Sequence, residues 1–494
     1  MQKIKNEEVY QEKYRPQFHY TPEANWLNDP NGMVYYNGEY HLFYQYYPNA
    51  AVWGPMHWGH AISRDLVHWE HMPIALYPDD LGYIFSGSAV IDENNTSGFG
   101  ENAMVAIFTY HDPVVEESGG NTFQTQAIAY SLDAGRSFVK YEGNPVLPNP
   151  GIADFRDPKV FYHTQTARWI MILAAHDRVM LYSSANLKEW TFESEFGMEV
   201  SVEGNVWECP DLFPLTVEET GTQKWVMLVS VNPGGPNVGS ATQYFVGEFD
   251  GHQFVNEGSA LQWLDLGRDD YAGVTWSNIP PEDGRRLFIG WMSNWLYADR
   301  VPTETWRGGM TIPRELTLVA DGSGYLLVSK PIAELQTLRG EIQKIEDISS
   351  VSGEQEIPIG DINLNQSELI LDLQIGSSAV DSFGIILENE LNERLVISYS
   401  VNSGQFLLDR SMAGTNDFAE EFSGSAVAPY SIGDEVRLHL FVDAASVELF
   451  VDDGQLVITD LVFPTNNFNQ LKLFSTAGDI QLTSIELYGL NSIW

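Results

Sequence analysis

Apolar residues along this chain recur with period two in short bursts bounded by Gly, Pro, Asn and Asp, which is strand-and-turn grammar. MVYYNGEYHLFYQYYP (33–48) carries Asn37-Gly38 between two such bursts, a two-residue hairpin signal. RWIMILAAH (168–176), KWVMLVSV (224–231) and RRLFIGWMS (285–293) are short, uncapped apolar runs, each predicting a buried strand. Three segments repeat a Ser, a polar turn and an aromatic: Ser63 to Trp69, Ser131 to Phe138 and Ser183 to Trp190. Each reads as the same outer hairpin, and their spacing suits four-stranded propeller blades with decorated loops.

The pattern changes near residue 331. Thirteen of the 14 tryptophans precede it, and PIAELQTLRGEIQKIED (331–347) reads as a helix-like or linker segment. Beyond about 350, SELILDLQI, SFGIILENE, ERLVISYS and VRLHLFVDAASVELFVDDG predict alternating strands of a β-sandwich. The expected organisation is all-β: an N-terminal extension (1–15), a propeller (16–335), a linker (336–352) and a sandwich (353–494).

Charge narrows the function. Against 26 Lys and Arg stand 68 Asp and Glu, a formal net charge of -42, and residues 361–494 alone hold 20 acids and 4 bases. Neither nucleic acid nor an anionic membrane surface is an expected partner. The single cysteine, Cys209, excludes an intrachain disulfide and multi-cysteine metal sites. With no apolar leader and no membrane-length apolar run, the expected location is cytoplasmic, the alternative being secretion with a leader removed. Self-association is left open.

Three segments set carboxylates beside apolar residues and a stiffening proline: Trp26-Leu27-Asn28-Asp29-Pro30, Phe155-Arg156-Asp157-Pro158 and Trp207-Glu208-Cys209-Pro210-Asp211. Glycoside hydrolysis needs one carboxyl protonated for the leaving group and another ionised to attack the anomeric carbon. Read singly, Asp-Pro-Asn-Gly is turn chemistry and Arg156-Asp157 a local ion pair. Glu208 resists a bland reading, since an unpaired carboxylate on an apolar strand is costly. Because strand neighbours face opposite ways, Asn28 with Asp29, or Arg156 with Asp157, share a pocket only at a strand end or bulge. His57-x-x-His60 and His68-x-x-His71 have metal-like spacing, but on strands such pairs diverge; neither metal nor cofactor is expected. Gly234 to Gly239 reads as a loop, not a phosphate cradle.

These motifs carry a resemblance. WLNDPNG, FSGSAV, FRDPKV and WECPDLF, with PMHWGH, NPGGPNVGSATQYFVGEFDG, YAGVTWSNIPP, IGWMSNW and WRGGMTIPREL, occur in the order of the β-fructosidases of glycoside hydrolase family 32. The resemblance spans nearly the whole chain. It implies a five-bladed β-propeller with a funnel-shaped site at its axis, joined to a β-sandwich. By position it makes Asp29 the nucleophile, Glu208 the acid/base and Asp157 the transition-state stabiliser. Trp26, Leu27, Asn28, Gln45, Trp53, Phe85, Ser86, Arg156, Tyr271 and Trp291 are then sugar-binding positions. The implied partner is a carbohydrate, and the implied reaction retaining, exo-acting release of terminal fructose from levan, inulin, fructo-oligosaccharides and sucrose. A sucrose-specific invertase or sucrose-6-phosphate hydrolase is the near alternative, and a non-catalytic fructan-binding propeller the distant one.

Overall fold

The computed structural model describes residues 10–201, 204–258, 261–322, 324–345, 349–375 and 380–494. Most of the expected N-terminal extension and part of the expected linker (346–348) lie outside the described residues.

Asn37 and Gly38 both take positive φ, 52° and 82°, and join Asn25–Tyr36 to Glu39–Tyr47 with Tyr36 opposite Glu39. This is the twist a two-residue hairpin requires. Five antiparallel sheets follow one another, and their innermost strands are Asn25–Tyr36, Tyr83–Asp92, Phe155–His163, Val206–Thr216 and Tyr271–Thr275. Each innermost strand packs against the next and the last against the first, so the five sheets are blades around one axis. Trp306–Arg307 pairs in parallel with the start of Asn25–Tyr36, adding a strand from the last blade's insertion to the first blade.

The three apolar runs are the second strands of blades three, four and five: Arg168–Ala175, Gln223–Asn232 and Arg286–Trp291. They are almost wholly buried because blades cover both faces. The repeated Ser motif closes the third strands of the first three blades. Ser63 and Ser131 each hydrogen-bond the Asp two positions on, at 3.1 and 2.7 Å, and Ser184 bonds Asn186 at 3.2 Å. Ser184, not Ser183, is therefore the equivalent position in blade three.

The segment read as helix or linker is different in the structure. Among its described residues only Ala333–Leu338 is helical, a 3₁₀ turn; Arg339–Lys344 and Ser350–Ile357 are strands paired with the long strand Gln470–Leu490. Apolar and polar positions in RGEIQK satisfy either period, and pairing with Gln470–Leu490 decides it. One half of that strand also pairs with Ser382–Glu388 and the other with Ser367–Gln374, so it serves both layers of the C-terminal β-sandwich.

Propeller and sandwich are joined by buried charge. Arg314 of blade five reaches Asp265 (3.0 Å), Asp270 (3.1 Å) and the sandwich residue Glu448 (2.5 Å). Glu448 also meets His19 Nε2 at 2.8 Å, while His19 Nδ1 meets Asp443 at 2.7 Å. Removing one member would strand an uncompensated charge.

Candidate active site

All five innermost strands break their ladder at one end of the axis: between Leu27 and Pro30, Ile84 and Gly87, Glu208 and Asp211, Tyr271 and Val274, and, in blade three, beside Asp157. Asp157, Cys209 and Ala272 sit at positive φ (63°, 44° and 55°). These bulges remove the alternation that would send neighbouring side chains apart. Gly308 shows how tightly the surrounding backbone is drawn in: at φ +87°, a Cβ there would meet Leu27 O at 1.9 Å.

Asp29, Asp157 and Glu208 line one cavity of about 230 Å³ with Asn28, Gln45, Trp53, Phe85, Ser86 and Arg156. Asp29 Oδ2 accepts from Ser86 Oγ (2.6 Å), and Oδ1 from Asn28 Nδ2 (2.9 Å). Asn28 is itself fixed by Trp26 Nε1 at 2.7 Å. Asp157 Oδ2 accepts from Cys209 N (3.0 Å), while Asp157 N donates to Thr109 Oγ1 (3.0 Å). The Cys209 thiol lies 3.5 Å from Asp29 Oδ2. Glu208 Oε1 meets Arg156 Nη2 at 2.7 Å, and Oε2 accepts from the Tyr271 hydroxyl.

Burial pushes the Asp29 carboxyl up, with the charge of Glu208 adding to it and the Ser86 hydrogen bond opposing. Asp157 is pushed up to about 7 by burial and by Glu208 and Asp29, against the pull of Arg156. Burial also raises the Cys209 thiol and the Tyr271 phenol. Burial thus makes both Asp29 and Asp157 harder to ionise than a free carboxyl.

Not every candidate faces the cavity. Trp26, Leu27 and Trp291 are fully buried behind its wall, and Tyr271 beneath it. Trp53 stands at the rim, 43% exposed, with its ring edge toward Phe85. Gln45 donates to Asn31 Oδ1 at 2.7 Å. Sequence reasoning missed several wall residues. Trp295 packs on Trp26 and Trp291 and lines the cavity. His111 stacks on Phe85 with ring centroids 4.2 Å apart, and Asp154 holds the other arm of Arg156. Trp295 was within reach, four residues after Trp291 in IGWMSNW, and Asp154 directly precedes FRDPKV; His111 lies far from any motif. The histidine pairs are engaged elsewhere: His60 with His41 at 3.0 Å, His71 with Tyr20 at 3.0 Å, and His68 with Asp65 at 2.8 Å.

The glycosyl hydrolases family 32 N-terminal domain matches residues 19–331, and the glycosyl hydrolases family 32 C-terminal domain matches 334–489. A levanase of Bacillus subtilis (strain 168) is 48% identical over 98% of this chain and 72% of its own length. An extracellular exo-inulinase of Aspergillus ficuum is 38% identical over 98% of this chain and 96% of its own. The crystal structure of exo-inulinase from Aspergillus awamori superposes with TM-score 0.90 at 36% identity, covering 98% of this chain and 100% of that one. A fructofuranosidase from Schwanniomyces occidentalis complexed with fructose gives 0.88 at 33% identity, with 98% and 99% covered. With both domains matched in order across nearly its whole length, the chain belongs to glycosyl hydrolase family 32.

Proposed function

We propose that this protein is a retaining exo-β-fructosidase that removes terminal non-reducing β-D-fructofuranosyl units from levan, inulin and fructo-oligosaccharides, and from sucrose. The observation that carries this reading is the convergence of Asp29, Asp157 and Glu208 on one cavity, where Arg156 pairs with Glu208 at 2.7 Å and lies 3.8 Å from Asp157. A small cavity at the end of an axis admits the end of a fructan chain more readily than its middle, which favours exo action.

In the first step, Asp29 attacks C2 of the fructosyl unit as the bond to the leaving oxygen breaks, and Glu208 gives that oxygen its proton. In the second, water passes a proton to Glu208 and its hydroxyl to C2, freeing Asp29. Two inversions give net retention. Asp157 accepts hydrogen bonds from ring hydroxyls and steadies the oxocarbenium-like charge. Sugar hydroxyls donating to Asp157 and Asp29 favour their ionised forms. Asn28, Gln45 and Ser86 supply polar contacts, Trp53, Phe85 and Trp295 apolar faces. Trp26, Leu27, Tyr271 and Trp291 act from behind, holding those groups in place.

Similarity to a levanase and exo-inulinases over 98% of the chain favours fructan over a sucrose-only substrate. No helix among the described residues is long and apolar enough to cross a membrane. Polymeric fructan meets an enzyme outside the cell, and we place its action there rather than in the cytoplasm. The catalytic domain is taken as 16–335 and the sandwich as the remainder, with 336–352 contributing its first strands. Incubation with sucrose, inulin and levan, with fructose measured, tests the assignment: no fructose from any of the three ends it. Asp29→Asn and Glu208→Gln should each lose at least ~10³-fold in turnover, and near-normal rates would overturn their roles.

A further inference from the structure

The larger cavity of the propeller is not the one with the three acids. About 450 Å³ in volume, it opens at the other end of the axis, between the far ends of the innermost strands of blades two, three and four. Its walls begin with Lys159, two residues beyond Asp157, and Asp211, three beyond Glu208, and run outward along the same strands to Gln165 and Pro214. Between the two cavities lies only a void of about 10 Å³ lined by Pro30, Ser86, Asp157, Pro158, Cys209 and Pro210. No sugar can pass from one to the other.

The chemistry of the walls decides what the far cavity suits. Two cations, Lys159 and Arg286, face two carboxylates, Asp211 and Glu93. Asp211 is already satisfied by Lys159 Nζ (3.0 Å), Thr275 N (2.8 Å) and Thr275 Oγ1 (2.8 Å). Charges cancel, and on a protein of net charge -42 a free anion gains nothing by approaching. Four side-chain amides, Asn94, Gln165, Gln223 and Asn278, also line the walls, and each both donates and accepts, as a hydroxyl does. Among the described residues Arg286 forms no ion pair. It lies over the Phe213 ring, 4.8 Å from its centre, and its one side-chain hydrogen bond is a 3.5 Å contact with Thr275 Oγ1. Tyr162, 40% exposed, is held edge-on against Trp169. Neutral balance, paired donors and acceptors, an uncommitted guanidinium and aromatic rings are the features by which proteins grip a polyhydroxylated chain.

We propose that this far cavity is a second carbohydrate-binding site that holds a segment of the fructan polymer, remote from the bond being cut. The ligand class rests on the function proposed above; the existence of the site does not. A polymer held there raises the local concentration of chain ends, so polymeric substrate benefits and sucrose does not.

The test is native affinity electrophoresis of the full-length protein in gels containing levan or inulin, with saturating free fructose to fill the acid-lined cavity. The wild type should remain retarded. Tyr162→Ala, an exposed strand position, and Arg286→Gln should each weaken retardation about three- to tenfold. Sucrose turnover should be unchanged in Tyr162→Ala, while kcat/KM on levan or inulin falls. Loss of all retardation on adding fructose, or full retardation of Tyr162→Ala, would overturn the site. Retardation without fructose release from any substrate would leave this site standing and defeat the hydrolase reading; retardation by starch gels and not by fructan gels would overturn the ligand class.

Discussion

Arg156 reaches Glu208 Oε1 with one arm at 2.7 Å and Asp154 Oδ1 with the other at 2.5 Å. One buried fork thereby sets where the acid/base candidate points. Lysine keeps the charge but cannot span both carboxylates. Arg156→Lys should lower kcat/KM on sucrose by about 10- to 100-fold, with circular dichroism and melting temperature little changed. Wild-type kinetics in this variant would mean that the fork is dispensable.

Ser86 donates to Asp29 and opposes the burial that raises its carboxyl. Ser86→Ala removes that stabilisation of the ionised form, so Asp29 holds its proton to higher pH. The acid limb of the kcat/KM profile on sucrose should therefore move to higher pH, the alkaline limb staying in place. A shift in the opposite direction would contradict the proposed nucleophile.

Cys209 is buried between two carboxyls, and its thiol is pushed well above its ordinary range by burial and by the charge of Asp157 and Asp29. Thiolate is the reactive form. Iodoacetamide should fail to label the native protein at pH 8 and label it fully in guanidinium chloride, as read by mass spectrometry. Rapid native labelling would show the floor of the cavity to be open.

His19 lies between Asp443 and Glu448 at the junction of propeller and sandwich. Burial works against its charge, but hydrogen bonds to the two carboxylates win and lift it from 6.5 to about 9. A raised folded-state value means stabilisation that is complete below pH 6.5 and fades as pH climbs through 9, roughly 3 kcal/mol in all. His19→Gln should melt well below the wild type at pH 6, and the gap should narrow by pH 10. A gap independent of pH would show the histidine to be neutral.

Much of this architecture was legible in local chemistry. Asn37-Gly38 announced its hairpin, and the Ser-turn-aromatic motif marked three blades because the Ser hydroxyl closes the same turn in each. Blade four escaped because its turn, Phe249-Asp250-Gly251, has no serine and relies on Asp250 to cap His252 and Gln253. The offset between Ser183 and Ser184 was unreadable, since both hydroxyls are present and only strand register selects one. Around the acids, motif residues were visible, and Asp154 adjoins one of them, but the wall made by His111 and Gln124 comes from paired strand ends of blade two whose meeting with blade three is a matter of tertiary distance. Nor could composition tell that RGEIQK would lie beside Gln470–Leu490.

The five ladder breaks have a consequence for anyone altering this protein. Function is concentrated where the blades are least regular, and stability where they are most regular, so the two can be tuned separately. Redesign for heat tolerance has wide latitude in the outer strands and the sandwich, whereas idealising the inner strands by restoring perfect pairing would yield a sturdier molecule with nothing left to do.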